Sequence, residues 1–254
     1  MEEKFNEVIK LFKERTEKEC YKIEINEGEP SILDDKIGGK PYLPIGEEYP
    51  KDSEGNNLAL LLQVNLKNID LKGYPKKGIL EIFTDSEVDY PCRYSVKYFE
   101  EGLEYQKELP DIDLSDYIVN KSYKITLAKS ISYMSVNDYR FNEVISSIVN
   151  EVFNTSFKYC GELDDYFGEF DWFDKLNNSY ENNAITIGGY ADFTQTDPRY
   201  DMSENKDECL FKLDSWVDYD KIFIGDSGIL FTLISQKDIE ECKFENAFVD
   251  WDCC

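Results

Sequence analysis

Asp192, Asp197, Asp201, Asp214 and Asp226 are the side chains whose type and spacing most invite a chemical reading. Carboxylate oxygens are the ligands that Mg²⁺ and Ca²⁺ prefer, and Asp226 precedes a permissive Ser227-Gly228 turn. If several converged, they would make a metal centre or a carboxylate-based hydrolytic site. Two facts weigh against that reading. Asp in turns commonly caps backbone N–H groups, and a chain with 53 Asp and Glu brings acids together by abundance alone. No calcium-loop pattern of the D-x-[DN]-x-[DN]-G type is present.

The chain contains no histidine, which removes Ser-His-Asp and Cys-His catalysis and His-ligated metals. Any chemistry is left to carboxylates, Lys, Tyr or Cys. Cys20, Cys92, Cys160, Cys209, Cys242, Cys253 and Cys254 are odd in number and form no C-x-x-C, so neither a zinc ribbon nor a disulfide framework is signalled. Reduced thiols are expected. The vicinal Cys253-Cys254 suits a thiophilic metal or redox chemistry, but a packed tail is the simpler account. The expectation is a protein that is not an enzyme, with no metal and no cofactor.

Charge says more about partners. With 28 Lys and Arg against 53 acids, the net charge is −25. Such a surface repels nucleic acid and anionic membranes and attracts basic proteins or peptides. The N-terminus lacks the apolar core of a signal peptide, and no stretch approaches the roughly 18 apolar residues of a membrane span, so a cytoplasmic protein is expected.

Phe5, Val8, Ile9 and Phe12 fall at helical spacing, predicting an amphipathic helix over 2–19 packed on a sheet. Phe141, Val144, Ile145, Ile148, Val149, Val152 and Phe153 predict a second over about 140–154. Strands are expected at 58–66, 79–84, 92–99 and 122–134. In the first, Leu60, Leu62, Val64 and Leu66 are expected on one face, with Gln63 and Asn65 opposite beside Leu61. The stretch 161–183 is acidic and aromatic and is expected to be a surface excursion.

Ile37-Gly38-Gly39 recurs 150 positions on as Ile187-Gly188-Gly189, and Gly78-Ile79-Leu80 recurs at the same offset as Gly228-Ile229-Leu230. Between them, Leu61-Leu62-Gln63-Val64-Asn65 aligns with Leu210-Phe211-Lys212-Leu213-Asp214, where Cys209, Phe211 and Leu213 are expected to share a face. The fold expected is α+β: internally duplicated antiparallel β units, about 37–85 and 187–239, in pseudo-two-fold packing flanked by two or more amphipathic helices. Residues 1–30 would be a helical lead-in and 31–254 a single domain. The paired glycines suggest backbone that a side chain would obstruct, not a phosphate loop.

Ile187 to Arg199 (IGGYADFTQTDPR), Ile37 to Pro44 (IGGKPYLP), Leu62 to Asn65, Gly225 to Gly228 and Trp251 to Cys254 resemble the signature of the YwqG-like bacterial proteins, in the family's order over about 31–254. The resemblance implies an internally duplicated α+β domain without established enzymatic activity. It also implies a distant relation to programmed-cell-death-2-like proteins, which act as chaperones for a ribosomal protein, and to relatives near polymorphic toxin systems. A chaperone-like or immunity-like protein- or peptide-binding role follows. Tyr49-Pro50 stands where Trp-Pro is common, and Lys212 where the family often carries Gln.

The candidate binding residues are Gln63, Tyr190, Gln195, Asp197, Arg199, Asp214 and Asp226, with Trp172 from the acidic aromatic stretch. Structural duties compete at each. Gln63 either bonds a loop backbone or faces a peptide groove, and Arg199 either meets a partner carboxylate or neutralises Asp197 or Asp201.

Overall fold

A computed structural model describes residues 1–85, 92–114, 117–215 and 222–253. Cys254, one of the vicinal cysteines, and residues 216–221 of the second repeat lie outside them. In chain order the elements are α1 (Glu2–Thr16), β1 (Lys18–Asn26), β2 (Lys36–Ile37), β3 (Ala59–Asn65), β4 (Ile79–Thr84), β5 (Tyr94–Phe99), β6 (Tyr123–Ser132), α2 (Phe141–Phe153), α3 (Gly161–Phe167), α4 (Trp172–Asn177), β7 (Ile185–Gly188), β8 (Glu208–Asp214), β9 (Ile229–Ile234), α5 (Gln236–Glu240) and β10 (Phe248–Asp252).

The strands form one sheet of order β10-β9-β8-β7-β1-β6-β2-β3-β4-β5, and every pairing is antiparallel. Its two edges curl towards each other. Tyr98 of β5 packs against Phe244, just before β10, with ring centroids 5.3 Å apart, so the sheet is nearly closed and barrel-like. The inner face carries the main core: Ile37, Leu62, Val64, Leu80 and Ile82 from one half, and Ile187, Phe211, Leu213 and Leu230 from the other. Such apolar burial is the main driving force of folding.

β1 corrects the expectation of a helical lead-in. Tyr21, Ile23 and Ile25 alternate with Lys22 and Glu24, the period of a strand, and β1 with β6 forms the middle of the sheet. The N-terminal stretch is thus integral to the fold.

The strand parity also needs correction. The β3–β4 register slips between Leu60 and Leu62, a bulge that turns Leu61 and Leu62 both towards the main core. Leu60 therefore packs on the opposite face, against Leu58 and Phe83, and not with Leu62. The β8–β9 register slips in the same place, between Cys209 and Phe211. Cys209 accordingly sits with Phe193, Phe231 and Leu233, away from Phe211 and Leu213.

The helices do not lie on the sheet as separate covers. Phe5, Val8 and Phe12 of α1 and Phe141, Ile145, Ile148 and Val149 of α2 meet Leu163, Phe167, Trp172 and Leu176 in a second core. This corrects the reading of 161–183 as a surface excursion. Leu163, Phe167, Trp172 and Leu176 bury, while Tyr166, Phe173 and the carboxylates between them face water. α1 has Glu2 and Glu3 in its first turn and Lys13 and Arg15 in its last, which suits the helix dipole.

Candidate functional site

Three places gather polar or exposed aromatic side chains. The first lies on β2, β3 and β4, where Lys36, Gln63 and Glu81 are successive cross-strand neighbours. Gln63 is 1% exposed and Glu81 fully buried. Gln63 Nε2 donates to the carbonyls of Ile32 (2.8 Å) and Asp34 (3.0 Å), and its Oε1 accepts from Tyr42 N at 2.8 Å. Tyr42 N is shared with Glu81 Oε1 at 2.7 Å. Lys36 Nζ donates to the carbonyls of Ser31 and Ile32, both at 3.0 Å. The row thus pins the 31–44 loop onto the sheet, and Gln63 bonds loop backbone.

Burial pushes the Glu81 carboxyl well above its ordinary range, more than Tyr42 N and Lys36 lower it. Its Oε2 meets no partner among the described residues, which also suits a neutral acid. Burial likewise lowers Lys36 to about 8, against the opposing charges of Glu81, Asp34 and Asp35. Neither residue stood among the sequence candidates. The available signal was a lone charge inside Ile79-Leu80-Glu81-Ile82-Phe83. Beside the row is a cavity of about 400 Å³ lined by Ile32, Lys36, Gly39, Pro41, Tyr49 and Leu60 among others.

The paired glycines behave as expected. Gly38 and Gly39 have φ of +71° and +84°, and Gly188 and Gly189 +75° and +79°. A Cβ on Gly38 would come 2.7 Å from Lys121 O.

The second place holds Asp197 and Arg199, which sequence reasoning singled out, with Asp138 and Arg140, which it did not. Arg199 Nη2 donates to Asp197 Oδ2 (2.6 Å) and Asp138 Oδ2 (2.9 Å), and Nε donates to Asp197 Oδ1 (2.9 Å). Arg140 grips Asp138 with Nε and Nη2, each at 2.8 Å. Burial works to raise Asp138, but the bonds from Arg140 and the charges of Arg199 and Arg140 outweigh it and hold the carboxyl below its ordinary value. The rings of Tyr139 and Phe193 lie 5.2 and 5.4 Å from the Arg199 guanidinium, and Tyr190 lies 5.7 Å from that of Arg140. Two cations and two anions pair with one another, and Arg140 also reaches Asp207 at 4.0 Å. Arg199 neutralises Asp197 and Asp138, not Asp201.

The remaining candidates are dispersed. Gln195 donates its side-chain amide to Cys253 O, and its backbone N–H to Asp252. Asp214 ends β8, Asp226 is exposed in its turn, and Trp172 is buried in the helical core with Nε1 donating to Asp164 at 2.7 Å. Asp192 accepts from Ser135 Oγ. The five acids that opened the sequence reading therefore do not converge. Among the described residues, no group of three or more acids and cysteines is placed to hold a metal ion. Burial raises the Cys20 thiol and pushes that of Cys209 up to about 11, which favours inert core thiols over nucleophiles.

The third place is the outside of the helical core. Tyr159, Tyr166 and Phe173 are 58%, 43% and 40% exposed, although Tyr166 and Phe173 adjoin the buried Phe167 and Trp172 of that core. Asp164, Asp165, Glu169, Asp171 and Asp174 are exposed in the same stretch. Lys175, the one lysine of 161–183, is paired with Glu2 at 2.9 Å.

No helix among the described residues is long and apolar enough to cross a membrane. No curated protein matches the chain. One family pattern, described as Domain of unknown function (DUF1963), matches residues 35–253, from just before the first Gly-Gly motif to the end of β10 and beyond, and the chain belongs to that family.

Proposed function

We propose that this protein is a cytoplasmic, non-enzymatic binding module that holds a basic polypeptide on the outer side of its helical core. The observation that carries the reading is the exposure of Tyr166 and Phe173 among carboxylates, on α3 and α4, whose inner sides are already committed to the core, with Tyr159 exposed just before α3. Exposed rings on a rigid support supply affinity, and the surrounding charge speeds encounter with a cationic partner. The net charge of −25 extends that attraction beyond the face itself. A chaperone-like or immunity-like role is the one that the YwqG-like resemblance suggests.

We further propose that the halves arose by duplication of one β unit. Supporting this are the matched glycine pairs, the matched bulges, and strand orders that run outward from β1 and β6 in the same sense. The metal-dependent hydrolase alternative draws no support from acids that lie apart.

Calorimetric titration with a lysine-rich polypeptide tests the binding reading. Binding should weaken at least tenfold between 50 and 300 mM salt, an estimate resting on screening of several charge pairs. The Tyr166→Ala/Phe173→Ala double variant should weaken it by about tenfold, the loss of one to two kcal/mol that exposed anchors commonly carry. Unchanged affinity in that variant would remove the helical face from the mechanism.

A further inference from the structure

β1 is longer than its partner on one side. Its ladder with β7 covers only Cys20, Tyr21 and Lys22, ending at Lys22–Thr186, whereas its ladder with β6 continues to Asn26. The chain that would extend β7 turns aside. Ala184 O accepts from Asp214 N on β8, Asn183 reaches Ser130, and Asn182 bonds both the N–H and the C=O of Tyr133. Between β1 and this departing segment lies an opening of about 650 Å³, lined by Ile23, Glu24, Ile25, Glu181, Ala184 and Asp214 among others.

The backbone at this opening is unpaired on one side. Ile125, opposite Ile25, donates its N–H to Asp35 O, away from β1. In an antiparallel ladder the two residues of such a pair both direct their N–H and C=O outward. Ile25 therefore directs its N–H and C=O into the opening, and neither is bonded by another described residue. A strand edge inside a sheet, with room beside it, is the geometry that a partner strand completes.

The charge around the opening selects the partner. Glu24, Glu181 and Asp214 line it, and the one lysine there, Lys22, is paired with Glu24 at 3.0 Å. Along an added strand, side chains would alternate between the barrel interior, near Ile23 and Ile25, and the acidic outer side. Apolar residues suit the first and Lys or Arg the second. We propose that this opening accepts a short extended segment of a basic partner, alternating apolar and cationic residues, which adds as a strand to the free edge of β1. Ile23 to Asn26 span roughly 13 Å, room for about four residues. This inference goes beyond the helical face and shares with that reading only the partner's basic character, so either can fail alone.

A fluorescent six-residue peptide of alternating valine and lysine tests the proposal on the full chain, against the same peptide with every backbone amide N-methylated. Charge and side chains are then equal, and only strand pairing is lost. The unmodified peptide should bind at least tenfold more tightly and slow hydrogen exchange at the Ile25 amide at least tenfold. Glu24→Gln with Asp214→Asn should weaken it several-fold at low salt, and the tenfold preference for the unmodified peptide should persist in Tyr166→Ala/Phe173→Ala, which removes only the contribution of the helical face. Absence of binding, equal binding of the two peptides, or unaltered exchange at Ile25 overturns the proposal. Loss of binding in the ring variant would move the peptide to the helical face.

Discussion

Arg199 Nη2 donates to Asp138 Oδ2 at 2.9 Å, joining the segment after β7 to the turn before α2 across 61 positions of sequence. Both side chains are essentially excluded from water, so each is compensated mainly by the other and by Asp197 and Arg140. Arg199→Met should destabilise the protein by about 3–5 kcal/mol, because it strands two buried carboxylates. Denaturant unfolding checks this. A second-site Asp138→Asn change should cost less in the Arg199→Met background than in the wild type, the signature of coupled partners.

The same cluster sets a pH dependence. Asp138 is held below its ordinary value in the folded protein, so its contribution is complete above the unfolded carboxyl range, near 3.9, and is lost as pH falls through the folded value. Asp138→Asn should flatten the acid limb of the stability curve below about pH 4. Urea midpoints taken from pH 2 to 6 measure it, and an unchanged acid limb would contradict the assignment.

Glu81 acts in the opposite sense. Its folded carboxyl is raised, so above the ordinary Glu range the native state keeps a proton that the unfolded chain has released, and stability falls as pH rises. Glu81→Gln resembles the neutral acid and retains an acceptor for Tyr42 N. The variant should be more stable than the parent at pH 7, with the advantage shrinking towards pH 4. Thermal midpoints across that range decide the point.

Gln63 offers a test of structure against binding. Removing its three bonds to Ile32, Asp34 and Tyr42 by Gln63→Leu should cost about 2–4 kcal/mol, as buried backbone groups lose their partners. Hydrogen exchange at Tyr42 should accelerate with it. A variant of full stability that had lost a ligand would instead make Gln63 a contact residue.

The glycine pairs predict asymmetric tolerance. Gly38→Ala places a Cβ 2.7 Å from Lys121 O at positive φ and should cost more than 2 kcal/mol. Gly46→Ala, also at positive φ but with nothing within 4 Å, should cost about 1 kcal/mol. Unfolding midpoints of the two variants rank them.

Much of the architecture was readable as pattern, because local rules suffice for it. The apolar spacing of Phe5, Val8 and Phe12 marks a helix wherever it packs, and Ile79 to Thr84 is β-prone in any context. The recurrence of Ile-Gly-Gly and Gly-Ile-Leu marked the two places where the chain makes similar turns and strands. The bulge at Leu61 was invisible, since a one-residue register slip is decided by the partner strand and leaves no mark in a run of leucines. The burial of Trp172 and Phe167 likewise depended on α1 and α2 arriving from distant sequence to cover them.

The division is sharpest at the charged residues. Sequence alone determined the excess of acids and the lack of histidine, and hence that any acid–base chemistry is left to other side chains. Only the tertiary structure decided that Arg199 closes on Asp138, that Glu81 is buried beside Lys36, and that β1 outruns β7 to leave a strand edge open. The physical reason is that net charge is a sum over residues, whereas burial, pairing and an unpaired edge are properties of distance, which the chain acquires only when it folds.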